Sequence, residues 1–104
     1  MEILNIRAFL MVAETGSFSR SAEKLFITQP AISKRISTLE QTLDCKLFDR
    51  LGKNVRLTQA GNALIPSYRR ILEEIEEAQR IISNLRVEVS GQLRFGTSHH
   101  IGLH

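Results

Sequence analysis

Residues 28–43 read TQPAISKRISTLEQTL. Ile32, Ile36, Leu39 and Leu43 recur at intervals of four, three and four, the spacing of one stripe along an α-helix. At about 100° per residue, Pro30, Ser33, Lys34, Ser37 and Gln41 fall on the side away from that stripe. An ordinary surface helix carries long charged side chains there, often of both signs. This outer face is instead short, mostly uncharged, rich in hydrogen-bonding groups and free of acid. It is suited to lie against another surface. Thr28 is placed to cap the helix, and Pro30 is tolerated because a first-turn residue has no intrahelical partner for its N–H.

Working back from this stretch, Ile6, Phe9, Leu10 and Ala13 form one amphipathic face over residues 3–14, and Gly16 stops that helix. Ser19 is the expected N-cap of a short second helix through Ala22 and Leu25, and Ile27-Thr28 is a tight connection. Two short helices joined this closely, the second with an apolar inner stripe and a small polar outer face, suggest a helix-turn-helix. Ala22 is small where the two helices must cross. An αα-hairpin with no ligand would show a similar pattern.

Working forward, residues 47–58 read LFDRLGKNVRLT. Leu47-Phe48 and Val55-Arg56-Leu57 are β-prone runs around the turn cluster Gly52-Lys53-Asn54. An isolated hairpin is marginal, so this one should pack on the helices through Leu47, Phe48 and Leu57. Arg50, Lys53 and Arg56 are then expected to project from the ribbon or its tip. They are either a solvated basic turn or a wing whose cations meet phosphate.

From Thr58 to about Val89 the apolar residues Leu64, Tyr68, Ile71, Ile75, Ala78, Ile82 and Leu85 step alternately by four and three, a sustained heptad seam widened by Ile65 and Leu72. A seam this long needs a comparably long partner helix. The chain contains no second one, which points to another copy of itself. Pro66 predicts a kink near residues 62–66. In the tail, SGQLRFGTSHHIGLH, Ser90-Gly91 is expected to break the helix and Leu93-Arg94-Phe95 to begin a strand. His99, His100 and His104 have no cysteine or carboxylate beside them, so metal binding is not expected.

Composition narrows the function classes. The 104 residues suffice for one small domain and an appendage. No apolar run approaches the roughly 18 residues of a membrane span, and MEILNIRAF has neither the basic start nor the apolar core of a signal peptide, so a soluble, membrane-free protein is expected. Cys45 is the only cysteine, which excludes an internal disulfide, fits a reducing cytoplasm and reads as a small half-buried apolar residue. The net charge of +3 is uneven: residues 1–58 hold nine Lys/Arg against six Asp/Glu, whereas residues 59–90 hold four against five. That excess is weak support for a nucleic-acid partner. No nucleophile–base pair or phosphate-cradling glycine loop points to an enzyme.

Leu25-Phe26-Ile27-Thr28-Gln29-Pro30-Ala31-Ile32-Ser33, then Ile36, Leu39-Glu40 and Leu47-Phe48-Asp49-Arg50, resemble the N-terminal domain of LysR-type transcriptional regulators. Gly16-Ser17-Phe18 and Leu57-Thr58-Gln59-Ala60-Gly61 match as well. Asp44 departs from the family, which usually has glycine at the end of this helix. Asp tolerates a left-handed backbone better than most residues. The resemblance implies a mainly α fold: a winged helix-turn-helix over residues 1–58, a coiled-coil linker and dimerisation helix over 59–89, and the truncated start of an effector-binding domain over 90–104. It implies a bacterial, cytoplasmic regulator that binds partly palindromic promoter sites on double-stranded DNA as a homodimer. The full-length protein would form a tetramer and sense a small-molecule co-inducer through the missing domain, with RNA polymerase a further candidate partner.

On that reading the third helix enters the major groove, where Gln29 and Pro30 reach base edges and Ser33 reaches a base edge or phosphate. Thr28, Lys34, Arg50 and Lys53 contact phosphate or the minor groove, Ser37 is a further DNA-binding residue, and Arg35, nearer the buried stripe, serves an intramolecular pair. Leu64, Tyr68, Ile71, Leu72, Ile75, Ala78, Ile82 and Leu85 form the dimer interface. A nonspecific architectural DNA binder, or a dimerisation module that ignores DNA, are the rival classes.

Overall fold

The computed structural model describes residues 1–51 and 54–93. Along these residues the order is α1 (Ile3–Thr15), α2 (Phe18–Leu25), α3 (Gln29–Leu43), β1 (Phe48–Leu51), β2 (Asn54–Leu57) and α4 (Gln59–Leu93). The expectations for Lys53, for a strand at Leu93-Arg94-Phe95 and for the tail histidines fall on or run into residues outside this range.

Local chemistry sets each boundary. Gly16 ends α1 in the left-handed region (φ 70°), its N–H donating to the Val12 carbonyl at 2.8 Å. The cap of α2 is Ser17 rather than Ser19, its Oγ accepting the Arg20 N–H at 3.0 Å. This earlier start puts Phe18 inside the helix, where its ring is buried, and leaves Ser19 exposed on the first turn. Thr28 caps α3 as expected, accepting the Ala31 N–H at 3.2 Å, and Pro30 sits in the first turn. Asp44 closes α3 in the left-handed conformation its usual glycine would take, at φ 54°.

The three short helices pack on one another around Ile6, Phe9, Val12, Ile32, Ile36 and Leu39. The α3 stripe is therefore the inward face, although its last member Leu43 is only partly buried, as is Leu25 at the end of α2. Ser21 is fully buried between α1 and α2 and remains satisfied through the Thr15 hydroxyl, 2.7 Å away. Thr15 Oγ1 already donates to the Ser17 carbonyl, so Ser21 supplies the proton of that bond.

The hairpin is antiparallel with Phe48 opposite Leu57, Asp49 opposite Arg56 and Arg50 opposite Val55. Strand alternation gives it an inner face, where Phe48 is buried and Val55 and Leu57 pack on the core, and an outer face carrying Asp49 and Arg56. Leu47, fully buried, anchors its base. At the start of α4 the Thr58 hydroxyl donates to the Lys46 carbonyl at 2.7 Å and accepts the Gly61 N–H at 3.1 Å, capping the helix. Gly61 is required there. A Cβ would collide with the Leu47 carbonyl and come within 2.8 Å of Leu57 Cδ2.

Two expectations for α4 are corrected. Tyr68 is 3% exposed within its own chain and belongs to the domain core, not to a seam awaiting a partner. Its ring meets Phe9 edge-on at 5.6 Å, its hydroxyl donates to Met1 Sδ at 3.1 Å, and Leu64 and Leu72 pack against the same core. Ser90-Gly91 does not break the helix, which continues to Leu93; a single glycine costs a helix only about 1 kcal/mol. The helix is also unbroken across Pro66. Met1–Leu72 forms one compact unit, and Glu73 begins a second. No helix among the described residues is long and apolar enough to cross a membrane.

Candidate nucleic-acid interface

The outer face of α3 is built from its N-terminus. Thr28 Oγ1 is engaged as the cap acceptor, and its O–H remains available to donate. The first turn carries no acid, so its free backbone N–H groups and helix dipole present positive potential. Thr28, Gln29, Pro30, Lys34 and Ser37 are exposed, and Ser33 is half-buried at the edge of the inward stripe. These residues share one surface. Lys34 makes no ion pair among the described residues, and neither does Arg35, for which an intramolecular partner had been expected.

The wing is tied to the far end of α3. Glu40 Oε2 accepts the backbone N–H of Leu47 at 2.8 Å and of Phe48 at 3.3 Å. Its other oxygen lies 3.7 Å from the ammonium of Lys46, a residue too exposed for the pair to contribute much. The recognition-type helix and the first wing strand are thus held by one carboxylate.

Arg50 is exposed on the wing, but its guanidinium is held over a ring and does not extend freely into water. It lies on the inner side of the hairpin with Phe48, and its guanidinium carbon sits 4.3 Å from the centroid of the Phe18 ring. Phe18, Ser37, Lys46 and Arg50 line one cleft between α3 and the wing. The site thus joins the outer face of α3 to one stacked cation; Lys53, its expected companion, lies outside the described residues.

Three residues of this surface drew no functional reading from the sequence. Thr38 is exposed, and its helical angle on the outer face could have flagged it. Lys46 carried no periodic signal, and the stacking role of Phe18 depends on a strand distant in sequence. Phe26, in the turn before Thr28, is 92% exposed at φ 58°. Cys45 is exposed, not half-buried as expected, because the turn after Asp44 carries it off the inward stripe.

Residues 3–62 match the profile of bacterial regulatory helix-turn-helix proteins of the lysR family. An uncharacterised HTH-type transcriptional regulator from the ibpB-leuC intergenic region of Azotobacter vinelandii is 57% identical over all 104 residues, which span 72% of its length. The HTH-type transcriptional activator CmpR of Synechocystis is 34% identical over 86% of this chain, which spans only 29% of that relative. Among solved structures, the DNA-binding domain of CbnR in complex with DNA superposes with a TM-score of 0.77 at 31% identity, covering 83% of this chain and 99% of that one. The chain therefore belongs to the LysR family, and it carries that family's winged helix-turn-helix DNA-binding domain of a sequence-specific transcriptional regulator followed by a long linker helix.

Proposed function

We propose that α3 enters the major groove of promoter DNA with its N-terminal turn foremost, and that Gln29, Pro30 and Ser33 read the bases. Gln29 can pair bidentately with adenine, Ser33 can reach a base edge, and Pro30 can meet a thymine methyl. Thr28, Lys34, Ser37 and the wing residues Arg50 and Lys53 fix the register through phosphate or the minor groove. One observation carries this reading: the exposed face of α3 is polar, short and free of acid right up to its capped, positively polarised N-terminus. A nonspecific binder needs cations but no such uncharged reading face.

The chain acts as a homodimer on partly palindromic sites, joined through Ile71, Ile75, Ala78, Ile82 and Leu85 of α4. Residues 90–104 lead into an effector-binding domain that senses a small co-inducer. The longer protein forms a tetramer in the cytoplasm and answers to RNA polymerase, and its role is regulation, not catalysis.

Selection of bound sites from a random DNA pool, followed by titration of variants, tests the reading. Gln29→Ala and Ser33→Ala should each cost roughly 1–3 kcal/mol on a selected site and little on random DNA. An equal loss on both would remove these residues from base reading.

A further inference from the structure

We infer that Phe18 is a positioning residue for the wing: its ring holds the Arg50 guanidinium in place for a DNA phosphate without touching DNA itself. The inference rests on the proposed contact between Arg50 and phosphate. Arg50 shares the inner side of the hairpin with Phe48 and faces Val55 across the strands, a place where an unsupported cation would fold back over apolar surface or swing into water. Its guanidinium instead lies 4.3 Å from the centroid of Phe18. That ring is itself fixed. It is buried at the first turn of α2 and meets Phe48 nearly edge-on at 6.2 Å, and Phe48 packs on Phe9 at 5.4 Å. The shelf is continuous with the aromatic core.

A ring accepts a guanidinium without using any of its five N–H donors as a hydrogen bond to a carbonyl or carboxylate, so those donors remain able to meet phosphate oxygens in a fork. Among the described residues no carboxylate lies within ion-pair distance of Arg50. Asp49, opposite Arg56, borders the cleft without pairing with Arg50, and Glu40 is committed to Lys46 and to the backbone of Leu47 and Phe48. Ser37 of α3 and Lys46 line the same cleft together with the carboxylates of Glu40 and Asp49, so a phosphate reaching Arg50 would meet a hydroxyl and a second cation that offset those acids. A cation ordered before DNA arrives need not be frozen on binding, and affinity gains the difference.

Replacing Phe18 by pentafluorophenylalanine preserves the shape of the ring and reverses its quadrupole, which avoids the packing loss that Phe18→Leu risks. Affinity of the 104-residue chain for a selected site should fall roughly three- to tenfold. The same replacement in an Arg50→Ala background should change nothing, and Phe18→Tyr, which keeps the ring face, should bind as the wild type does. In the free protein the Arg50 side-chain resonances should show a ring-current shift that shrinks on fluorination, because the guanidinium leaves a ring whose quadrupole repels it. An equal loss in both backgrounds would assign Phe18 a purely structural role, and no loss in either would remove the shelf. Both outcomes overturn the inference while leaving the DNA reading intact if Arg50→Ala itself weakens binding. An Arg50→Ala variant that binds as the wild type does refutes the wing contact and the inference with it.

Discussion

Phe26 holds the turn of the helix-turn-helix at φ 58° with 92% of its surface exposed. A left-handed backbone is unfavourable for a residue with a bulky Cβ substituent, and an exposed ring returns little burial to offset it. Its N–H still bonds to the Glu23 carbonyl at 3.2 Å, so the conformation is imposed by the α2 cap. Phe26→Asn should therefore raise the urea midpoint, by roughly 0.5–1 kcal/mol of stability. A lower midpoint would mean that the ring has a partner in the folded chain. Tyr68 makes the opposite kind of prediction. Burial first, and the nearby Cys45 second, push its phenol above the usual range. A pKa raised on folding means that the neutral form is the one stabilised. Its contribution is complete below pH ~10 and is lost as pH rises through the folded value. Alkaline titration of stability should fall less steeply for Tyr68→Phe than for the wild type. Parallel curves would show that the phenol does not report folding.

Between elements, the bond that couples reading helix to wing is the Glu40 carboxylate on the N–H groups of Leu47 and Phe48. Glu40→Ala leaves both donors without their acceptor beside the core and should cost about 1–3 kcal/mol in urea unfolding, with Glu40→Gln, which retains one acceptor oxygen, costing less. Equal losses for the two variants would indicate that charge rather than acceptance matters. Much of this architecture was legible beforehand because its signals are local. Gly16 and Thr28 mark helix ends by backbone chemistry, and the stripe of Ile32, Ile36 and Leu39 states which face of α3 is buried. The α2 cap was misplaced because Ser17 and Ser19 are equally good acceptors, and only the need to bury Phe18 distinguishes them. Arg50 was readable as a wing cation but not as one lying over a ring, since strand parity puts this exposed residue on the Phe48 side of the hairpin only once the register Phe48 to Leu57 is known. The exposed polar face of α3 was visible from spacing alone; its cleft with Lys46 required the tertiary fold.

Across the whole chain, the apolar stripe of α4 serves two purposes that spacing could not separate. Periodicity says which side of a helix is apolar and is silent on what covers it. Leu64, Tyr68 and Leu72 are covered by the chain's own core. Beyond them Ile71 is 40% exposed, and Ile82 and Leu85 each 39%, with Ile81 open on the flank, a run of large apolar side chains that a stable monomer does not ordinarily leave to water. On the proposed assembly these residues meet a second copy, so the 104-residue chain should already be a dimer. Ile75→Asp would then place an unpaired charge in the interface and dissociate it. The domain should stay folded, because its core of Ile6, Phe9, Ile32, Ile36 and Leu39 makes no use of Ile75. Tyr68→Asp should do the reverse and unfold the domain, since that ring is packed on Phe9. Specific DNA binding should fall sharply for Ile75→Asp, because a monomer engages one half-site and loses the effective concentration of its tethered partner. Sedimentation equilibrium with circular dichroism separates the cases. A monomeric wild type, or an Ile75→Asp chain that remains dimeric, would remove α4 as the dimer interface and leave the exposed isoleucines to another partner.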